Sequence, residues 1–397
     1  MLLSKISKHI GIVDQFVVSG FRYLIFILAA KNLSIENFGL YTLLFLSYTI
    51  SSSIQIPLII NPLFQLFSRK KNRYLEFFKY MKYINLCYSL LSSLAVFIYS
   101  NQLFEFNVAL ALTMYNFVFL QYEFLRKKNT LVSDDKINLY MDLILYILIV
   151  ICILFMIFNE NFRLIQLFVI PVMICLTCVL IFDTSLSFVT WKRMRVYIRE
   201  IKPIASSFMI ITILNLISGN IYIYFLNAFV DLKTLGVFNA IKNLVGPLSV
   251  IIITIENLIL RDLIKVKNST HNNISSDNYD SAIKHYKLFF LFFILFSILL
   301  KDYIIMLVLT EDYLYLSYLF PLFSILLYAQ LLSKKYVLKF RVEENYKCLK
   351  LANIYASILS PIYTSFLIFY FGVDGAFLSL FVYQLTLYFS YKYYDAK

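Results

Sequence analysis

Two cations in this sequence stand where a charged group is costly. Arg22 lies midway along the apolar stretch GIVDQFVVSGFRYLIFILAAKNLSIENFGLY, which begins at Gly11, and Lys242 lies seven residues into another apolar run that opens near Leu235. A lone Arg or Lys near the centre of a bilayer costs about 2.5 to 3.5 kcal/mol on insertion scales. Something must offset that cost, and the neighbours show what kind of chemistry is available. At 100° per residue, Asp14, Gln15, Val18, Arg22 and Ala29 fall within an arc of about 100°. In the second run Asn239, Asn243 and Asn257 share a face, with Lys242 beside it. Guanidinium and ammonium groups flanked by amides make a binding surface for an anion, with Arg22, Lys242, Gln15, Asn239 and Asn243 as the candidate substrate-binding residues.

The acids are distributed differently. Asp14, Glu123, Asp142, Asp183 and Glu256 lie near the ends of apolar runs, so the deepest charges are both positive. A cationic substrate would favour a deep carboxylate, and the sequence offers none. Asp14, Glu123, Asp142 and Glu256 are instead candidates for ion coupling, set against the simpler role of charges that mark helix ends. Gln55, Asn61, Asn215, Asn220, Asn353 and Gln384 give other runs polar positions, which serve more often as hydrogen bonds between helices than as ligand contacts.

These residues need elements that span a membrane. The chain is 61% hydrophobic and 18% aromatic over 397 residues, well above the roughly 45–50% apolar usage of soluble domains. Its apolar runs do not alternate with polar residues, which excludes a β-barrel and leaves helices of about 20 residues. Runs bounded by charges predict twelve spans, near 11–30, 40–62, 83–100, 107–125, 138–158, 163–183, 204–228, 235–260, 288–309, 313–333, 351–371 and 373–391, with a tight turn at Gly372 dividing the last two.

Charge placement supports that count. Of 36 Lys and Arg, 30 fall in alternate loops and at the termini, and four (Lys31, Arg163, Lys233 and Lys301) are assigned to the opposite side, Arg163 and Lys301 from within the limits drawn for their spans; Arg22 and Lys242 are the two left to the span interiors. The positive-inside rule then puts both termini in the cytoplasm. The net charge of +13 is explained by topology and anionic headgroups, so no nucleic acid partner is expected. Cys175 and Cys178 form a C-x-x-C inside an apolar run with no histidine nearby, and are read as packing. No catalytic, cofactor or metal site is predicted. There is no G-x-x-x-x-G-K-[ST] loop for direct use of ATP.

After the sixth span the pattern restarts. SGFR at Ser19 precedes FGLY at Phe38, and SGNI at Ser218 precedes LGVF at Leu235. The expected organisation is an N-terminal six-helix lobe over 1–190, a cytoplasmic linker over 191–203 and a C-terminal six-helix lobe over 204–397. The fold class is an all-α membrane protein of twelve transmembrane helices in two lobes around a central cavity. Pro57, Pro62 and Pro247 are candidate hinges or ordinary kinks.

DQFVVSGFRYLIFILAAKNLSIENFGLY, SGNIYIYFLNAFVDLKTLGVFNAIKNLVGPL and the closing VDGAFLSLFVYQL resemble the half-starts and last span of polysaccharide-unit (O-antigen, Wzx-type) flippases of the multidrug/oligosaccharidyl-lipid/polysaccharide exporter superfamily. The resemblance implies a bacterial inner-membrane protein, acting as a monomer without cofactors. Its substrate would be a polyprenyl diphosphate-linked oligosaccharide for O-antigen, lipopolysaccharide or capsule assembly, carried from the cytoplasmic to the outer leaflet by alternating access. Membrane lipids, a polysaccharide polymerase and chain-length machinery are the implied partners. Two rivals remain. One is a cation-coupled drug exporter of the same superfamily. The other is a membrane-embedded polymerase, which would want a long outer loop with catalytic groups; the most acidic external turn holds only Asp302, Glu311 and Asp312 around an apolar run.

Overall fold

The computed structural model describes residues 2–69, 74–131, 135–160, 162–182, 190–252, 256, 259, 260, 263, 276–343 and 345–396. Asp183, Asn257 and residues 264–275 lie outside these. The described residues form helices and turns, with no strand among them. In chain order the helices are α1 (Leu2–Asn32), α2 (Ile35–Gln55), α3 (Asn61–Arg69), α4 (Tyr74–Leu103), α5 (Phe106–Leu131), α6 (Asp135–Phe158), α7 (Gln166–Phe182), α8 (Trp191–Phe229), α9 (Leu232–Leu244), α10 (Gly246–Ile252), α11 (Ser276–Val308), α12 (Leu319–Val342) and α13 (Tyr346–Asp395). Seven described helical stretches are long and apolar enough to cross a membrane, or eight with the bent α9–α10 pair. The protein is an all-α, multi-pass membrane protein.

The chain divides into two compact units. Unit 1 comprises Met1–Leu33 and Tyr41–Ile213; unit 2 comprises Ser34–Leu40 and Leu214–Lys397. In unit 1, α1 packs on α6, α4 on α5, and α5 on α7. Between α2 and α3 the helix widens into a π-helical turn, Ile56–Ile60. Pro57 lacks the N–H that an α-helical ladder needs there, and the irregularity is held by side chains. Gln55 Nε2 donates to Asn85 Oδ1 at 2.7 Å and to the Leu120 carbonyl at 2.8 Å, and Asn85 Nδ2 donates to Gln121 Oε1 at 3.0 Å. This polar position therefore joins helices.

Residues 191–203 are helical, forming the opening turns of α8. Met194, Tyr197, Ile201 and Ala205 recur at helical spacing and pack against Phe77, Phe78, Tyr80 and Met81 of α4. The same contact explains why α4 begins at Tyr74 rather than near residue 83: its first turns bury an aromatic face. Arg193 Nη1 donates to Glu76 at this junction.

In unit 2, α11 and α13 both pack on α12. A 3₁₀ turn, Glu311–Leu316, precedes α12. The expected start near 313 moves to Leu319, which leaves Pro321 in the first turn, where its missing N–H costs no hydrogen bond. Helix α13 is a pair of helices meeting at Gly372, whose φ of 54° is left-handed; only glycine adopts it without strain. Asp231 caps α9 by accepting the Thr234 N–H at 2.5 Å. Pro247 lies just past the 43° bend that joins α9 to α10.

The glycines of FGLY and LGVF meet inside unit 2. A Cβ on Gly236 would lie 2.6 Å from the Ile35 carbonyl oxygen, and one on Gly39 would collide with the Leu232 carbonyl. The obstruction is backbone, which cannot rotate aside. Gly219 of SGNI, by contrast, has open space around the same position. Gly236→Val should therefore sharply reduce monodisperse protein in detergent and lower the thermal midpoint by an overpacking cost of about 1 to 3 kcal/mol or more. Gly219→Ala should leave both unchanged or slightly improved; size-exclusion profiles and melting curves of the two variants provide the check.

Candidate anion site and charge network

Arg22 leaves α1 about two-thirds of the way along the helix. Its Nε donates to Tyr146 Oη of α6 at 2.8 Å, and its Nη2 to Glu123 Oε1 of α5 at 2.7 Å. Phe21 stacks on the Tyr146 ring with centroids 5.9 Å apart, which fixes the phenol that receives the guanidinium. Packing of α1 on α6 brings these groups within reach. The Arg22 side chain still exposes 41% of its surface, against 14% for Glu123. A guanidinium carries five N–H donors, so this arginine is braced by a carboxylate but not exhausted by it.

Behind this pair lies a second arginine. Arg126, one turn along α5 from Glu123, is 8% exposed at its side chain. Its Nη2 donates to Asp14 Oδ2 at 2.9 Å and its Nη1 lies 3.4 Å from Glu123 Oε2. Its Nε is 2.9 Å from Asp142 Oδ2, close enough for ion pairing but without hydrogen-bond alignment. Tyr122 donates to the other oxygen of Asp142. Asn138 closes the α5–α6 junction by donating to the Arg126 carbonyl at 3.0 Å. Three carboxylates thus share two guanidiniums, and Asp142 is fully buried. Such a cluster exists only because each carboxylate has a positive or hydroxylic neighbour; a bare one would carry a desolvation cost of several kcal/mol.

Unit 2 presents a different arrangement. Lys242 of α9 donates from Nζ to Tyr222 Oη of α8 at 2.7 Å and lies 4.5 Å from that ring's centroid. Tyr222 Oη in turn donates to Asn239 Oδ1 at 2.9 Å. Tyr222 and Asn239 are buried, at 1% and 4% exposure, so the amide directs the phenol and the phenol directs the amine. No carboxylate lies within salt-bridge distance of Lys242 among the described residues. Asn243, half-buried on the next residue of α9, adds an amide beside it.

The structure therefore brings Lys242 and Asn239 together through Tyr222, with Asn243 adjacent, and separately gathers Arg22, Glu123, Asp14 and Asp142 around Arg126. The Gln15 side chain lies outside the described residues. Glu256 stands apart in unit 2, paired with Lys334 at 2.6 Å and Arg341 at 2.7 Å. Sequence reasoning missed Arg126, Tyr146 and Tyr222. The signals were local: Glu123 and Arg126 at i, i+3, and Asp142 and Tyr146 at i, i+4. Arg126 instead reads as the first residue of the basic run RKK, and so as a loop charge. Several other polar positions bridge helices: Gln384 donates to Ser333 Oγ at 3.0 Å, and Asn353 to Tyr391 Oη at 3.1 Å. Cys175 and Cys178 are buried free thiols of α7.

No family model matches this sequence, and no curated protein matches it. Similarity to solved structures is nevertheless extensive. The lipid II flippase MurJ in an inward closed conformation superposes with a TM-score of 0.77 at 12% identity, covering 98% of this chain and 87% of that one. An inward-facing multidrug resistance MATE family transporter of the MOP superfamily gives a TM-score of 0.71 at 12% identity, with 97% of each chain covered. A point mutant of the Vibrio cholerae MATE transporter VcmN gives 0.64 at 12% identity, covering 99% of this chain and 98% of that one.

Arg126→Met should destabilise the protein by about 3 to 5 kcal/mol, because it strands buried carboxylates. Adding Asp14→Asn and Asp142→Asn to it should restore most of the loss. Thermal midpoints of the single and triple variants in the same detergent measure both effects. Across its length the chain has the fold shared by MurJ and MATE transporters.

Proposed function

We propose that this protein is a flippase that moves a polyprenyl diphosphate-linked oligosaccharide, an O-antigen or capsule repeat unit, from the cytoplasmic to the outer leaflet of a bacterial inner membrane by alternating access, with both termini cytoplasmic. The observation that carries the reading is Lys242, a cation at membrane depth held by a phenol and an aromatic ring with no carboxylate to neutralise it among the described residues. Arg22, partly exposed and with donors left over, is the corresponding cation of the other unit. The likeness to a lipid II flippase agrees with a lipid-linked substrate.

The physical requirement is plain. A long isoprenoid tail gains about 0.8 kcal/mol for each buried CH₂ and stays in lipid. A diphosphate stripped of water has nothing comparable to hold it, so cationic donors must replace its hydration. Lys242 supplies a mobile point charge, and Arg22 a fork for two oxygens. Asn239, Asn243 and Gln15 are the candidate amides for further polar contacts.

In the same reading Asp14, Glu123 and Asp142 couple transport to an ion. Three carboxylates on two arginines leave one negative charge in excess, which a proton or a sodium ion would balance. Glu256 is the corresponding candidate of unit 2, although two cations already neutralise it. A cationic drug is the poorer substrate, since Asp14, Glu123 and Asp142 are each engaged by arginine.

The deciding experiment complements a deletion strain with variants and measures surface polymer alongside the leaflet in which lipid-linked units accumulate. Lys242→Met, which strands no acid, should cut surface polymer at least about tenfold while the protein inserts and melts normally. Arg22→Lys should retain part of the activity that Arg22→Ala loses, and the units should accumulate facing inward. Unchanged polymer in both Lys242→Met and Arg22→Ala would overturn the assignment, and outward-facing short units would indicate a polymerase.

A further inference from the structure

The two halves of α13 pack on each other through Ala352, Ala356, Leu387 and Tyr391, and beside that contact lies a groove that neither the anion site nor the charge network uses. It has a volume of about 650 Å³ and is lined by Tyr355 of the first half and by Thr386, Phe389, Ser390, Tyr393 and Tyr394 among residues of the second. Tyr355, Phe389 and Tyr393 expose 56%, 59% and 56% of their surface, so the walls are apolar yet open to the side. At its base the two halves are tied by Asn353 Nδ2, which donates to Tyr391 Oη at 3.1 Å. Between Val382 and Tyr394 the groove follows the helix for about 18 Å at 1.5 Å per residue. That is close to one leaflet's share of a hydrocarbon core about 30 Å thick.

What it would take is set by its ends. The groove lies far from the turn at Gly372, at the end of the hairpin where α13 starts and stops. There Lys347, Lys350 and Lys392 are exposed, and none is within salt-bridge distance of a carboxylate among the described residues. Asp395, the acid that closes α13, is already held by Lys339 at 2.6 Å. An aromatic trough one leaflet deep, rimmed at its end by lysines without counter-ions, is complementary to a chain that carries a negative headgroup. Ser390 adds a hydroxyl where the headgroup's glycerol would lie.

We propose that this groove is a binding site for an anionic glycerophospholipid, with one acyl chain between Tyr355 and Phe389 and the phosphate at Lys347 and Lys392. The basic end belongs to the cytoplasmic leaflet by the positive-inside rule, where anionic lipids attract Lys and Arg near the surface. The site lies within unit 2, so it does not depend on the transport reading, and either can fail while the other stands.

The full-length protein in nanodiscs of phosphatidylcholine containing graded phosphatidylglycerol provides the test. Native mass spectrometry counts the lipids retained on release. Wild type should keep one phosphatidylglycerol in preference to phosphatidylcholine. Lys347→Gln with Lys392→Gln should weaken that retention by about thirtyfold, taking the usual contribution of a lysine near an anionic surface. Lys347→Arg with Lys392→Arg should keep it, and Ser390→Trp, which fills the groove, should lose it without a change in melting behaviour in lipid-free detergent. Equal retention of the two phospholipids, or retention that survives both the Gln and the Trp substitutions, would overturn the proposal. So would displacement of phosphatidylglycerol by an equimolar long-chain polyprenyl phosphate, which would assign the groove to an isoprenoid tail instead.

Discussion

A charge inside a membrane-spanning bundle must be compensated within the protein, because hydrocarbon offers it nothing. That constraint organises unit 1. Arg126 joins α5 to α1 through Asp14 and to α6 through Asp142, while Arg22 ties α1 to both α5 and α6. The ionic cluster thus occupies the junction of three helices, with Asn138 bonding α6 to the Arg126 carbonyl and to Thr130 of α5 beside it. Hydrocarbon side chains of suitable volume would hold such a junction at least as well, since buried ion pairs seldom add net stability over well-packed apolar groups. Under the proposed function, what the cluster adds is a set of charges whose balance an ion or proton can change, and apolar packing cannot supply that.

The two units meet the same constraint by different chemistry. Unit 1 compensates its cations with carboxylates. Unit 2 compensates Lys242 with a phenol, an aromatic face and, through the phenol, an amide. A carboxylate neutralises an amine and competes with any incoming anion. A phenolic oxygen accepts a hydrogen bond and leaves the positive charge in place. The glycines of FGLY and LGVF share one backbone device, a mutual approach too close for a Cβ, whereas the polar residues of the two units are arranged differently.

Much of this architecture is legible in the sequence, and the illegible parts share a cause. Apolar runs and the sorting of Lys and Arg locate most of the helices because each depends on composition within one segment. The repeat at Gly39 and Gly236 is visible as a motif, although its reason, a backbone approach too close for a Cβ, is visible only in three dimensions. The extension of α4 back to Tyr74 and the helical start of α8 escape a hydropathy reading because they are amphipathic, and their apolar faces serve each other rather than lipid. Arg126 escapes for a different reason. It opens a run of three basic residues of which Lys127 and Lys128 read correctly as a helix-end cluster, and sequence alone cannot separate a residue pointing inward from its neighbours one step round the helix. Gln55, Asn85 and Asn353 show the converse: polar residues in apolar runs are real features, but their partners lie 30 or more positions away.

Under the proposed function, the contrast between Arg22 and Lys242 sets how each would hold an anion. An anion reaching Arg22 meets a guanidinium already committed at Nε to a phenol and at one amino group to Glu123. It can use the free donors without breaking that bridge, so binding there leaves the carboxylate charged and in place, and repulsion from Glu123 limits affinity. An anion reaching Lys242 has no such competitor, but it must draw the amine from Tyr222, which keeps Asn239 as its own partner. The first site is rigid and partly self-neutralised; the second is mobile and fully charged. In the proposed carrier both cations have a resting partner inside the protein: at Lys242 an anion takes the place of the Tyr222 contact, whereas at Arg22 it adds to contacts that stay in place.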